Sequence, residues 1–186
     1  LASGGSTYTW LPGTGLSATT GNSVTANPVS ITVYTITGTD VNGCVNTGYV
    51  TVTVNPLPTV GCGPNVGICS GLSTGLTATG AATYVWSPAS GLSATTGSRV
   101  TASPTSNTTY TVTGTDGNGC VNRTSVTVSV NSLPVVSTGP SVSICSGASN
   151  GLTATGAATY TWSPSAGLSA STGGSVMASP TTTTTY

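Results

Sequence analysis

One pattern of residues occurs more than twice in the chain, at a fixed step of 76 positions. Several residue types keep this step without an insertion: Trp10/Trp86/Trp162, Tyr34/Tyr110/Tyr186, Cys44/Cys120 and Cys69/Cys145. Self-similarity at one period is typical of an array of like modules, and each unit is long enough to be a small domain with its own core. Such arrays usually provide length, spacing and many weak contacts, so the repeat favours a structural role.

Prolines mark the joints between the repeats. The segment Asn-Pro-Leu-Pro at 55–58 has its counterpart in Asn-Ser-Leu-Pro at 131–134. Proline beside a β run ends the hydrogen-bonded ladder and makes a short, stiff connection. We therefore predict a partial first module over 1–55 that lacks its first strand, a complete module over 56–131, and a partial third module over 132–186 that lacks its last strands. On this interpretation the chain is a window cut from a longer array.

Apolar and hydroxyl residues alternate within the complete repeat. Val126, Val128 and Val130, for example, alternate with Thr127 and Ser129. This period of two is typical of half-buried strands with a threonine-coated outer face, and glycine and proline interrupt the runs about every eight to twelve residues, as in a β-sandwich. The pattern predicts strands over 66–69, 73–79, 82–87, 98–103, 108–115 and 123–130.

Two aromatic residues narrow the architecture. Trp86 lies on the third predicted strand, where immunoglobulin-type sandwiches bury a tryptophan, and Tyr110 opens the penultimate strand, near the position of the tyrosine corner. The predicted fold class is all-β, a tandem of immunoglobulin-like β-sandwich modules. Trp10, Trp162 and Tyr34 are the counterparts of these two residues, and the simplest interpretation is that all five are structural residues that fill small cores.

The scarcity of charge excludes several function classes. The formal charges are carried by Asp40, Asp116, Arg99 and Arg123, and histidine is absent. Serine or cysteine catalysis lacks its base, and the two aspartates occupy equivalent places in different repeats, so they cannot flank one bond. We predict no catalytic residues, no cofactor and no enzyme activity. Two arginines without a lysine provide no phosphate-binding patch, and no apolar stretch is long enough for a membrane span, so neither nucleic acid nor a bilayer core is a predicted partner.

Five cysteines indicate an oxidising compartment. The simplest interpretation is an intramodule disulfide between Cys69 and Cys120, although these residues are expected at opposite poles of a sandwich. The rival interpretation links the bottom of one module to the top of the next. Under either one, Cys44 and Cys145 have their partners outside the given sequence. No Cys-x-x-Cys pair occurs, so we predict no metal site.

Cys62 has no equivalent, because Thr138 occupies its place in the next repeat. Three roles stay open for it: a free thiol, a lateral crosslink between chains, or an alternative partner for Cys120.

Polar motifs on the surface have simple structural interpretations. The runs TDVNGC and TDGNGC each offer one carboxylate, too few for calcium, so we interpret them as hairpin turns closed by Asp40 and Asp116. The exposed threonine rows satisfy strand propensity, with O-glycosylation or a flat ice- or sugar-binding face as alternatives. Sequons at 107–109 and 122–124 matter only where the N-glycosylating enzymes exist.

Long runs of the repeat resemble a known group of modules. The runs GLTATGAATYVWSPASGLSATTG, ASPTSNTTYTVTGTDGNGC and VTVSVN are similar to the immunoglobulin-like or PKD-like tandem repeats of very large secreted surface proteins of Bacteroidota, including adhesion and gliding proteins exported by the type IX route. The resemblance covers nearly the whole chain. It implies an extracellular, cell-surface role, structural or adhesive, and it does not specify a ligand.

Three functional hypotheses follow. The first is a non-catalytic extracellular repeat protein that forms a surface stalk or filament, self-associates into a fibre and binds a glycan or another surface ligand. The second is a carbohydrate-binding module array of a secreted enzyme, and the third is a self-assembling pilus or sheath subunit. Binding modules display exposed aromatics, whereas this chain places its aromatics at core positions, which favours the first hypothesis.

Overall fold

The computed structural model describes residues 1–186 and consists of β-strands joined by turns and loops. The predicted all-β class is confirmed. The structure contains no helix with the length and hydrophobicity needed to cross a membrane. The strands are β1 (Thr7–Leu11), β2 (Thr32–Thr39), β3 (Val45–Val52), β4 (Val66–Cys69), β5 (Thr74–Thr77), β6 (Thr83–Ser87), β7 (Arg99–Ala102), β8 (Thr108–Thr115), β9 (Val121–Asn131), β10 (Ser137–Thr138), β11 (Asn150–Thr155) and β12 (Ser175–Ala178).

The strands of the complete repeat follow the alternation of its sequence. The predictions for β4 and β8 match the observed bounds. The other four predicted strands differ from the observed ones by at most two residues at either end. Side chains of β8 and β9 alternate between buried and accessible positions, as a period of two requires. The side chains of Trp86, Tyr110, Val112, Val126 and Val128 are almost completely buried.

The complete repeat contains a four-stranded sheet in the order β4-β9-β8-β6 and a two-stranded sheet of β5 and β7. β6 pairs antiparallel with β8, whereas β4 pairs parallel with β9. The chain before β4 pairs elsewhere: Gly61 bridges antiparallel to Thr79, just after β5. The entering chain therefore changes from one sheet to the other, a pairing that the alternation of apolar residues does not predict.

The first repeat forms one three-stranded antiparallel sheet in the order β1-β2-β3. Tyr8, Trp10 and Tyr34 supply its buried side chains. β3 lies at the edge of this sheet, because β2 is the strand that pairs with it. The third repeat forms the sheet β10-β11-β12, and its buried apolar side chains are those of Trp162, Val176 and Ala178.

The chain divides into two compact units. The first unit consists of Leu1–Pro64, Gly75–Thr101 and Thr109–Val126, and the second of Asn65–Thr74, Ala102–Thr108 and Thr127–Tyr186. These units do not follow the proline joints of the sequence. The module boundaries 1–55, 56–131 and 132–186 therefore stay a prediction.

Candidate interaction surface

The three tryptophans that recur at the step of 76 each make the same hydrogen bond. Each indole N–H donates to the carbonyl oxygen of a glycine eleven positions further along the chain, at 2.8, 2.9 and 2.8 Å: Trp10 to Gly21, Trp86 to Gly97, and Trp162 to Gly173. All three rings are buried. A buried ring whose N–H is already bonded does not offer a face for a sugar to stack on.

The three tyrosines that recur at the step of 76 make the same long-range hydrogen bond, which we call a latch. Each hydroxyl donates to a carbonyl oxygen twenty positions earlier, at 2.8, 2.8 and 2.9 Å: Tyr34 to Thr14, Tyr110 to Ser90, and Tyr186 to Ala166. A tyrosine corner bonds to the backbone only a few residues upstream. The hydroxyl of Tyr110 instead bonds to the loop after β6, so this hydrogen bond differs from the tyrosine corner that the sequence position predicts.

Both aspartates close hairpin turns. The carboxylate of Asp116 accepts hydrogen bonds from the backbone N–H groups of Asn118 at 2.9 Å and Cys120 at 2.8 Å. Asp40 accepts the equivalent bonds in the β2–β3 turn. An Asx turn of this kind uses the side chain to mimic a backbone turn, as the sequence interpretation of these motifs requires.

All five cysteines have free thiols, and the predicted disulfide between Cys69 and Cys120 is wrong. Cys69 pairs with Asn131 at the far end of β9, whereas Cys120 immediately precedes that strand. β9 has 11 residues, so the two cysteines lie about 36 Å apart at roughly 3.3 Å per residue. A disulfide requires Cα atoms about 4.4–6.8 Å apart.

Cys62 is buried, with 7% of its surface exposed. Its Sγ lies 3.9 Å from the Oγ1 atom of Thr124 and 3.9 Å from the carbonyl oxygen of Gly63. A lateral crosslink between chains requires an accessible thiol. Burial therefore favours the free-thiol interpretation among the three that the sequence leaves open.

One side of β3 has no paired strand in the sheet of the first repeat. We call β3 together with residues 53–55 the open edge. Tyr49 and Val50 are 73% and 42% exposed on this strand. A groove of about 680 Å³ beside it is lined by the aromatic rings of Tyr8 and Trp10 as well as by β3 itself. An exposed apolar edge strand presents unpaired backbone groups to which another strand can add.

The third repeat contains a strand-like segment that is not in a sheet. Residues 142–145 are the counterpart of β4 but form no strand. Val142 is 48% exposed, and Cys145 is exposed at the end of the segment. A groove of about 330 Å³ is lined by Val142 and Ile144 of this segment together with Leu152 and Trp162. The same chain thus carries an edge strand with a free side and a strand-like segment that is not in a sheet.

Comparisons with known proteins do not assign this chain to a family. No family model matches it, and no curated protein matches it. One similar solved structure is that of the extracellular cadherin domains 1–4 of protocadherin gamma B7, with 10% identity and a TM-score of 0.31 over 94% of this chain. Another is the Bacteroides ovatus mixed-linkage glucan utilization locus protein SGBP-B in complex with a mixed-linkage heptasaccharide, with 17% identity and a TM-score of 0.19 over 61% of this chain.

The chain spans 58% of the first of these structures and 33% of the second. At such TM-scores neither similarity supports an argument about the function of this chain, which must come from its own surface.

Proposed function

We propose that this chain is a non-catalytic structural and adhesive repeat protein, located on a bacterial cell surface or in a secreted filament, whose modules associate strand to strand into a fibre. The observation that carries the proposal is the recurrence of one β-module at a step of 76, whose strands alternate apolar residues with threonine and serine and include an edge strand, β3. Strand addition at such an edge gives affinity through main-chain hydrogen bonds and specificity through the pockets between side chains.

The low charge of the chain supports assembly. Only two cationic and two acidic side chains are spread over 186 residues, so neighbouring chains repel each other weakly. The strands carry threonine on their accessible positions, which leaves a neutral surface with many hydroxyl groups. Association through such a surface is expected to depend weakly on salt, unlike an interface built on ion pairs.

The state of the carboxylates supports a role without catalysis. The side chains of Asp40 and Asp116 accept backbone hydrogen bonds within their own turns. A general acid or base must instead be free to reach the proton of a substrate.

The carbohydrate-binding alternative rests on Tyr49, the tyrosine with an exposed ring on the open edge. Sugar sites combine such a ring with several convergent polar groups in a cleft. Tyr49 lies on the edge strand, so a single substitution there tests the fibre and the glycan hypotheses together.

The test is association of the purified, reduced chain, followed by sedimentation and electron microscopy at about 0.01 M and about 1 M salt. We expect fibres at both salt concentrations. The variant Tyr49→Lys should abolish them, because a charge on the edge strand blocks strand addition. The matched control is Val33→Lys, which adds the same charge at a 53% exposed site on the interior strand β2.

Three results would overturn the proposal. The first is a monomer at every concentration, the second is association that disappears at high salt, and the third is association that Tyr49→Lys leaves intact. If Tyr49→Lys removes binding on a glycan array while the wild-type chain stays monomeric, the carbohydrate-binding function replaces the fibre.

A further inference from the structure

We propose that Asn150 is a site of spontaneous modification, where the side-chain amide is converted into a carboxylate through a cyclic imide formed with the backbone nitrogen of Gly151. The reaction is a deamidation, and its co-reactant is water. The inference concerns the first residues of β11 and does not depend on the fibre function. It rests on one hydrogen bond that distinguishes this asparagine–glycine pair from the two others in the chain.

Two conditions decide how fast an asparagine side chain reacts with the backbone nitrogen that follows it. The nitrogen must lie beside the amide carbon Cγ, because reaction starts from conformations in which the reacting atoms are about 3–3.5 Å apart. The residue that carries the nitrogen must also leave space around it, which glycine does because it has no Cβ. A backbone N–H that is bonded elsewhere must first lose that hydrogen bond, so it reacts more slowly.

The pair Asn150 and Gly151 meets both conditions. The backbone N–H of Gly151 donates to Oδ1 of Asn150 at 2.9 Å. Since Oδ1 is bonded to Cγ, this hydrogen bond keeps the nitrogen beside the carbon that it attacks, and it polarises the amide carbonyl. Asn150 is half-buried and Gly151 is exposed, so water can reach the product.

The other two asparagine–glycine pairs, at 42–43 and 118–119, lie in hairpin turns that occupy the glycine nitrogen. In each turn the glycine N–H donates to the carbonyl oxygen of the aspartate three residues earlier, at 3.2 Å: Gly43 to Asp40, and Gly119 to Asp116. The turn must therefore open before either asparagine can react.

Two further asparagines make the same hydrogen bond as Asn150 but are not followed by glycine. The backbone N–H of Thr47 donates to Oδ1 of Asn46, and that of Arg123 to Oδ1 of Asn122, both at 2.9 Å. The side chains of threonine and arginine crowd the nitrogen that must attack. Asn150 thus combines two features that the other four asparagines have only singly.

The reaction balances without an oxidant or a reductant. The nitrogen of Gly151 loses its proton to water and attacks Cγ of Asn150. The new N–Cγ bond closes a succinimide ring, and the bond from Cγ to the side-chain nitrogen breaks, so that this nitrogen takes up a proton and leaves as ammonia. Water then opens the ring at one of its two carbonyl carbons. The products are aspartate, or isoaspartate when the original peptide bond is the one that breaks.

Both products change the protein. Each adds one negative charge to a chain whose formal net charge is zero. In isoaspartate the main chain runs through Cβ and Cγ, so the backbone of β11 gains one carbon atom. β11 pairs with β12 in the register Asn150↔Ala178 through Thr153↔Ser175. The added atom separates the first of these pairs from the pairs that follow it.

The experiment incubates the full folded chain in a mildly alkaline buffer and follows each asparagine by peptide mass spectrometry over time. We expect conversion at Asn150 to be about tenfold faster than at Asn42 and Asn118, because their glycine nitrogens must first lose a hydrogen bond. Isoelectric focusing should show a more acidic species that grows at the same rate as the product at residue 150.

The variant Gly151→Ala is the matched control. An added Cβ would have the Sδ atom of Met177 as its nearest neighbour, at 3.8 Å, so the fold accommodates the methyl group and the melting temperature should be retained. The variant keeps the hydrogen bond but removes the glycine. Conversion at Asn150 should therefore fall to the rate observed for Asn46 and Asn122.

A denatured sample separates the effect of the structure from that of the sequence. In denaturant the turn bonds and the hydrogen bond of Gly151 are lost, so the three asparagine–glycine pairs should react at similar rates. Equal rates at these pairs in the folded chain would overturn the inference. So would an unreactive Asn150 in the folded chain, or a rate at residue 150 that Gly151→Ala leaves unchanged.

Discussion

The first and the complete repeat contain nearly the same core residues but bury them to different extents. Val126 on β9 is 1% exposed, and its counterpart Val50 on β3 is 42% exposed. The tryptophans differ less, since Trp86 and Trp10 are 1% and 6% exposed. The residue pattern thus decides which face of a strand is apolar, whereas the neighbouring strands decide how completely that face is removed from water.

The elements that make the difference come from the start of the complete repeat. β4 pairs with β9, the segment around Gly61 pairs beyond β5, and these strands contribute Ile68, Leu76 and Ala78 to the buried set. At the step of 76, the counterparts of these strands fall at or before Leu1, so the sheet β1-β2-β3 is compared without them. The comparison teaches that pairing with neighbouring strands, and not composition, decides how completely the apolar face of a strand is buried.

The largest effect is expected for Trp86→Ala, which should destabilise its repeat by about 3–5 kcal/mol because a large buried aromatic leaves a cavity. Trp10→Ala should cost less, about 2 kcal/mol, because the more open first repeat can collapse around the lost ring. Thermal and denaturant unfolding of both variants measures the difference. If Trp86→Ala keeps its melting temperature and instead loses glycan binding, the tryptophan is a binding platform.

An intermediate effect is expected for Gly80→Ala. A Cβ on Gly80 would overlap the carbonyl of Thr59, and the residue has a φ of +87°. Left-handed backbone costs an alanine about 1–2 kcal/mol, and the overlap adds about 1–3 kcal/mol.

Gly4 is the matched control for Gly80, because it has a φ of +97° and no heavy atom within 4 Å of the added Cβ. Gly4→Ala should therefore show the backbone cost alone. Equal losses of stability in the two variants would mean that the entering segment does not pack on Gly80.

The accuracy of the sequence predictions depends on the range of the interaction involved. The bounds of β4 and β8 follow from local alternation, and so they are predictable. The pairing of Gly61 with Thr79 joins isolated residues with no alternating run, and the separation of Cys69 from Cys120 depends on the length of β9 and the parallel pairing of β4. These features are tertiary, so spacing in the sequence does not reveal them.

The open edge also depends on interactions beyond its own sequence. The structure places β3 at a sheet edge with Tyr49 exposed, and this position follows from the strand order, which local alternation does not reveal. The proximity of Cys120 to Asn55 is not visible in the sequence, because 65 residues separate them.

Loss of a tyrosine hydroxyl should reduce stability the least, and by the same amount in both repeats. Tyr34 and Tyr110 are buried alike and make latches of the same length, 2.8 Å. Replacing either by phenylalanine removes a hydroxyl donor and leaves a carbonyl oxygen without it, at a cost of about 1 kcal/mol. The latch joins a strand to a loop of the same repeat, so it should not depend on β4 or on the segment before it. Unfolding measurements on Tyr34→Phe and Tyr110→Phe test this equality. A clearly larger loss of unfolding free energy for Tyr110→Phe would show that β4 and the segment before it strengthen the tyrosine hydrogen bond as well as the core. The two repeats would then differ in their loops as well as in the burial of their strands.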